Sequence, residues 1–220
     1  MIVFHFLKAF YTLLFVWLCA VIAAFAYRRV LPAVFRQFIV FIILMAAAET
    51  IGNFLAFRNI HNHYYFNVFF ALEFMMVPYF FYFQLTNQFL KKFILAYFVI
   101  FPLFFIVNFT WWQSFDSLLT YTFVLGGSFI LVLSVTYIWQ LYSSDETQNV
   151  FRDPVFWFSL GYLFYYTIAV PYLGQLNYLW KDDPSFTKKY YLIFNIVIIL
   201  HNILLSTGFL CARYLIKKQS

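Results

Sequence analysis

Residues 35–57, FRQFIVFIILMAAAETIGNFLAF, decide how the rest of the chain is read. The only charges in this run are Arg36 at its start and Glu49 deep inside it. Its length matches the roughly 20 apolar residues that a helix needs to cross a ~30 Å hydrocarbon core. Six further runs of the same kind lie around it, at 5–27, 64–85, 93–109, 118–142, 155–173 and 189–214, and together they fill most of the 220 residues. Lipid offers no hydrogen-bond partner to a bare N–H or C=O, so these runs should be helices and not open strands. The expectation is an all-α polytopic membrane protein, a single domain over residues 1–220 with seven transmembrane helices. Its connections are too short to hold a soluble domain.

Composition points the same way. The chain is 65% apolar and 10% charged, with a mean hydropathy of +0.83, whereas an average soluble domain carries roughly 25% charged residues. Its 34 Phe and 18 Tyr make helix packing and lipid contact aromatic-rich, and Trp111, Trp112 and Trp180 fall where an interfacial belt would sit. The net charge of +6 is no sign of nucleic-acid binding, because the basic residues cluster at helix ends and form no continuous stripe.

The distribution of those charges predicts a topology. Arg28, Arg29, Arg36, Lys91, Lys92, Arg152, Arg213, Lys217 and Lys218 fall on one side, nine of 14 basic residues, against Lys8, Arg58, Lys181, Lys188 and Lys189 on the other. The positive-inside rule then sets the N-terminus outside and the C-terminus in the cytoplasm. The first apolar run is too long for a signal core and reads as the first span. Pro32, the polar break from Arg58 to His63, the hydrophilic stretch from Asp145 to Asp153 and the connection from Gly174 to Lys188 divide the spans.

Polar residues inside the spans carry the functional expectation. Glu49 follows Ala46, Ala47 and Ala48 and precedes Asn53 by one helical turn, so both polar groups share a face beside small residues. Glu73 lies near the middle of the third span, and His201 with Asn202 near the middle of the seventh. At ~1.5 Å per residue, Glu49, Glu73 and His201 come out at one depth, with Asn53, Asn67 and Asn195 about 6–9 Å nearer the outer face. Two layers follow: two carboxyls and an imidazole at the midplane, and three amides above them, forming a candidate site reached from outside. Helical phase separates Asn67 from Glu73 by about 120°, so these two cannot face one narrow point. A charged carboxylate at the bilayer centre costs roughly 2.5–3.5 kcal/mol, so each Glu should be partnered, wetted or protonated.

Other chemistries fit less well. A retinal Schiff base needs a lysine deep in a helix, and every Lys here is near a helix end or in a loop. Cys19 and Cys211 lie in separate apolar runs and read as packing residues. His5, His61 and His63 sit at the N-terminus or in a loop, which leaves Glu49, Glu73 and His201 as the candidate metal triad for an intramembrane enzyme. No nucleophile elbow or phosphate-binding glycine loop occurs, and Gly126–Gly127 reads as close helix packing.

The stretch from Glu49 and Asn53 through Asn62-His63-Tyr64-Tyr65-Phe66-Asn67 to Glu73-Phe74 resembles a group of uncharacterised small seven-helix membrane proteins of Bacteroidetes-type bacteria. The resemblance covers the second and third spans, implies a bacterial inner membrane and supplies no activity. The leading expectation is therefore a non-enzymatic receptor-like or sensor protein binding a small ligand or a proton through Glu49, Asn53, Asn67, Glu73, Asn195, His201 and Asn202. No cofactor is expected. Its partners would be membrane lipid and a cytoplasmic or membrane protein meeting the Arg28–Arg36 and Lys91–Lys92 loops. A proton-coupled transporter using the same carboxyls is second, an intramembrane metal-assisted enzyme third, and a lipid-packing scaffold without a ligand is the remaining alternative.

Overall fold

The computed structural model describes residues 31–58, 60–144, 149–182 and 184–211 together with Leu18, Val21, Ile22 and Phe25, with the backbone alone over 180–192. The expected first span at 5–27, apart from those four positions, and Cys19 within it lie outside the described residues. Everything regular among the described residues is helical. The helices are α1 (Ala33–Phe57), α2 (His63–Gln84), α3 (Gln88–Val107), α4 (Thr120–Tyr142), α5 (Pro154–Gly174), the short α6 (Leu176–Asp182) and α7 (Pro184–Cys211). A π-turn at Asn108–Trp112 extends α3, and a 3₁₀ turn at Val150–Arg152 precedes α5.

Among the described residues five helices are long and apolar enough to cross a bilayer: α1, α2, α3 with its π-turn (Gln88–Trp112), α4, and Ile193–Cys211 of α7. By length and composition this is an integral membrane protein. The remaining long helix, α5, has 21 residues but is diluted by Tyr162, Tyr165, Tyr166 and Tyr172. Its position explains why that is tolerated. Helix α5 packs between α4 and α7, and all four tyrosines are buried there. A helix shielded by protein on two sides has less need of an apolar surface.

Local chemistry sets the boundaries. Asp153 caps α5, its carboxylate accepting from the N–H groups of Val155 and Phe156 at 2.7 and 3.0 Å, with Pro154 in the first turn where a missing N–H costs nothing. Asn87 caps α3 by accepting from Phe89 N–H at 2.9 Å. That cap starts the helix five residues before the expected 93, so Lys91 and Lys92 stand inside α3, near its start, and not in a loop. Lys91 lies over the Tyr82 ring, 5.5 Å from its centroid. The connection expected from Gly174 to Lys188 is also largely helical, because α6 occupies part of it and α7 begins at Pro184.

Small residues bring the helices close. A Cβ on Gly126 would collide with the Phe74 ring of α2, and one on Gly127 would come within 2.8 Å of the Tyr166 ring of α5. The Gly126–Gly127 pair therefore packs α4 against both neighbours, as expected from sequence.

A polar lattice ties down the α3–α4 connection. Asn67 on α2 donates to Phe115 O at 3.1 Å and Ser117 O at 2.8 Å, and accepts from Leu119 N–H at 2.9 Å. Asn177 on α6 donates to Leu118 O at 2.9 Å. Leu118 and Leu119 are buried beneath this clasp.

Candidate functional site

Three of the polar residues singled out from sequence meet at one cavity. Glu49 of α1, Glu73 of α2 and His201 of α7 line it together with Tyr162 and Tyr165 of α5, and apolar groups of Phe41, Ile42, Met45, Phe70, Ile198 and Leu205 complete the wall. Glu73 and His201 are each only 6% exposed, while Glu49 is half-buried. The space open to water centres is about 30 Å³. One water needs roughly 10–15 Å³ by that measure, so the cavity has room for about two waters. Ligand pockets for small organic molecules run to roughly 300–1,000 Å³. As it stands, the cavity is water-sized.

Glu49 is supported from its own helix, whereas Glu73 and His201 meet side chains of α5. Asn53, one turn beyond Glu49, donates from Nδ2 to Glu49 O at 2.9 Å and to Glu49 Oε2 at 3.3 Å. It acts as a local support for that carboxyl and does not line the cavity. The His201 ring is stacked among tyrosines, 5.0 Å from the Tyr162 ring and 5.0 Å from the Tyr165 ring. Its Nδ1 lies against Gly161 of α5, where an added Cβ would come within 3.3 Å, and it has no partner in hydrogen-bond geometry. Glycine at 161 is what lets the imidazole sit so near the α5 backbone.

The Tyr166 hydroxyl, fully buried, approaches the Glu73 carboxyl without reaching hydrogen-bond geometry to any partner. Tyr162, Tyr165 and Tyr166 were read from sequence only as part of a span. Their spacing of three and four residues puts them on one helical face, and that spacing was the available signal.

The amide layer expected above the carboxyls does not line the cavity. Asn67 spends both its donor and its acceptor on the α3–α4 connection, as its 120° offset from Glu73 requires. Asn202 is wholly buried, donates to Ile198 O at 2.9 Å within its own helix, and leaves Oδ1 without a partner. Asn195 is buried but is not among the cavity walls. The vestibule of three amides opening outward is therefore absent from the geometry, and the site contracts to two carboxyls, one imidazole and the tyrosines.

Aromatic rings close the bundle between this cavity and the end bearing Arg36 and Arg152. Phe38 stacks on Phe80 at 4.4 Å and packs on Phe158 at 5.5 Å, Phe35 meets Phe80 at 5.2 Å, and Phe158 meets Phe209 at 4.8 Å. On the opposite side Phe74 packs on Phe123 at 5.4 Å and on Phe101 at 5.8 Å. Among the described residues no three His, Cys, Asp or Glu side chains are grouped closely enough to hold a metal ion. Comparison of the chain with protein-family models, with curated proteins and with solved structures finds no match.

Proposed function

We propose that this protein is a non-enzymatic, receptor-like sensor of a bacterial inner membrane whose stimulus is the proton, taken up at the Glu49–Glu73–His201 cavity. The observation that carries the reading is the convergence of two carboxyls and an imidazole from three helices on a space of about 30 Å³. Two carboxyls beside one water-sized space cannot both carry charge cheaply in a bilayer interior, so gain or loss of one proton changes the electrostatic balance between α1 and α2. The charged and titratable groups facing that balance are Glu49, Glu73, His201, Tyr162, Tyr165 and Tyr166. Helix α5 touches both α4 and α7, so a shift at its tyrosines has a route to the ends of both.

The aromatic layer below the cavity favours sensing over transport, because a transported proton or solute needs a wetted path to each face in turn. Seven spans, drawn from the apolar runs of the sequence, with the N-terminus outside and the C-terminus in the cytoplasm by the charge asymmetry, complete the proposal. Its partner would be a cytoplasmic or membrane protein meeting the basic loops.

The test is a pH titration of intrinsic fluorescence and hydrogen exchange on the full chain in lipid nanodiscs. A cooperative change that is lost in Glu73→Gln and weakened in Glu49→Gln supports the reading. A response unaltered in both variants overturns it. Solute uptake into proteoliposomes driven by a pH gradient and lost in the same variants would replace sensing with transport.

A further inference from the structure

At the far end of α3 the chain leaves α-helical geometry, and four aromatic rings border a shallow hollow there. Gln113 N–H bonds Asn108 O at 2.8 Å, five residues back, closing the π-turn at Asn108–Trp112. A wider turn narrows the angle between neighbouring side chains, which brings Trp111 and Trp112 toward one side. The turn is locked to α4: Asn108 Nδ2 donates to Thr122 Oγ1 at 2.8 Å, Gln113 Nε2 donates to Thr120 Oγ1 at 2.8 Å, and Gln113 Oε1 accepts from Tyr121 N–H at 3.1 Å. The last bond fixes the backbone of Tyr121. Phe104, Trp111, Trp112 and Tyr121 together line an open hollow of about 550 Å³. Trp112 meets Phe104 edge-on at 5.6 Å, and Trp111 is 77% exposed.

The hollow differs from an ordinary interfacial belt, in which single aromatic rings lie flat among headgroups. Trp139, at the other end of the bundle, is of that ordinary kind, 68% exposed with Tyr142 as a neighbour at 6.5 Å. At the π-turn, rings from two helices border one shallow, open hollow, and no charged side chain lines it. Aromatic faces are electron-rich and attract cations, most strongly Trp. The span Gln88–Trp112 ends there, so the hollow sits at headgroup depth.

We propose that this aromatic hollow binds the ammonium of a zwitterionic phospholipid headgroup. The inference is independent of the proton reading, since no residue is shared between the two sites.

The test is lipid retention by the full chain, taken from vesicles of equal phosphatidylethanolamine and phosphatidylglycerol content and read by native mass spectrometry. Ethanolamine lipid should be retained about two- to fivefold over glycerol lipid, the factor expected of a cation over exposed aromatic faces. The ratio should fall to about one in the Trp111→Leu/Trp112→Leu double variant, persist in the Trp111→Phe/Trp112→Phe variant, and be untouched in Trp139→Leu. Equal retention of the two lipids by the unmodified chain, or a preference that survives the double leucine variant, overturns the proposal. Displacement of the lipid by millimolar free ethanolamine would also overturn it, because the hollow would then be a site for soluble amines.

Discussion

Glu49 and Glu73, on different helices, line the same water-sized cavity, and only Glu49 has an amide neighbour, Asn53, within hydrogen-bond distance of its carboxyl. The two carboxyls are therefore unequal. Glu49 has a local donor on its own helix and is less deeply buried than Glu73, which lies beside the Tyr166 hydroxyl.

That inequality predicts different variants. Glu73→Gln should remove the acid response and leave the fold intact, since an amide is accommodated without the ~2.5–3.5 kcal/mol cost of a buried charge. Glu49→Gln should weaken the response and keep the contact with Asn53. The check is the pH dependence of hydrogen exchange in α1 and α2, with thermal stability measured alongside.

Asn67 separates structure from function. Replacing it with Ala strands the carbonyls of Phe115 and Ser117 and the N–H of Leu119. The expected loss is on the order of 3 kcal/mol, from one buried and two part-buried backbone groups left unpaired. Thermal unfolding in detergent should show it, while the acid response of the folded fraction stays unchanged.

Gly126→Ala tests the packing that holds Phe74, the residue after Glu73. The added methyl collides with the Phe74 ring, and overpacking of this kind costs roughly 1–3 kcal/mol. Lower thermal stability with altered near-ultraviolet circular dichroism is the expected outcome.

The aromatic layer should seal the bundle. Phe38→Ala removes the ring stacked on Phe80 and should cost about 3–5 kcal/mol if the gap does not collapse. Phe38→Leu is the milder variant. Both should raise proton leak across proteoliposomes, read with an enclosed pH dye, and Phe38→Ala should raise it more.

The spans were legible because continuous apolar runs with proline and polar punctuation are a strong signal, and α1, α2, α4 and α5 begin and end within two residues of expectation. Helix α3 began early because a side-chain cap at Asn87 outweighed the hydropathy of Lys91 and Lys92. Depth arithmetic from helix rise brought Glu49, Glu73 and His201 to one level, and the three do line one cavity. Depth says nothing of direction, which is why the amides failed to join them. Helical phase already turned Asn67 away, and its destination, a connection 48–52 residues distant, is a tertiary fact that no local pattern carries. The tyrosines of α5 went unnoticed because in an aromatic-rich chain their spacing is hard to tell from packing.

The most direct measurement is infrared difference spectroscopy of the protein in lipid nanodiscs across a step from neutral to acid pH, with Glu73→Gln and Glu49→Gln as references. A protonated-carboxyl band should change with pH, vanish in Glu73→Gln and shift in Glu49→Gln. A spectrum in which no carboxyl band changes, or in which the band is the same in both variants as in the unmodified protein, would contradict proton uptake at this cavity.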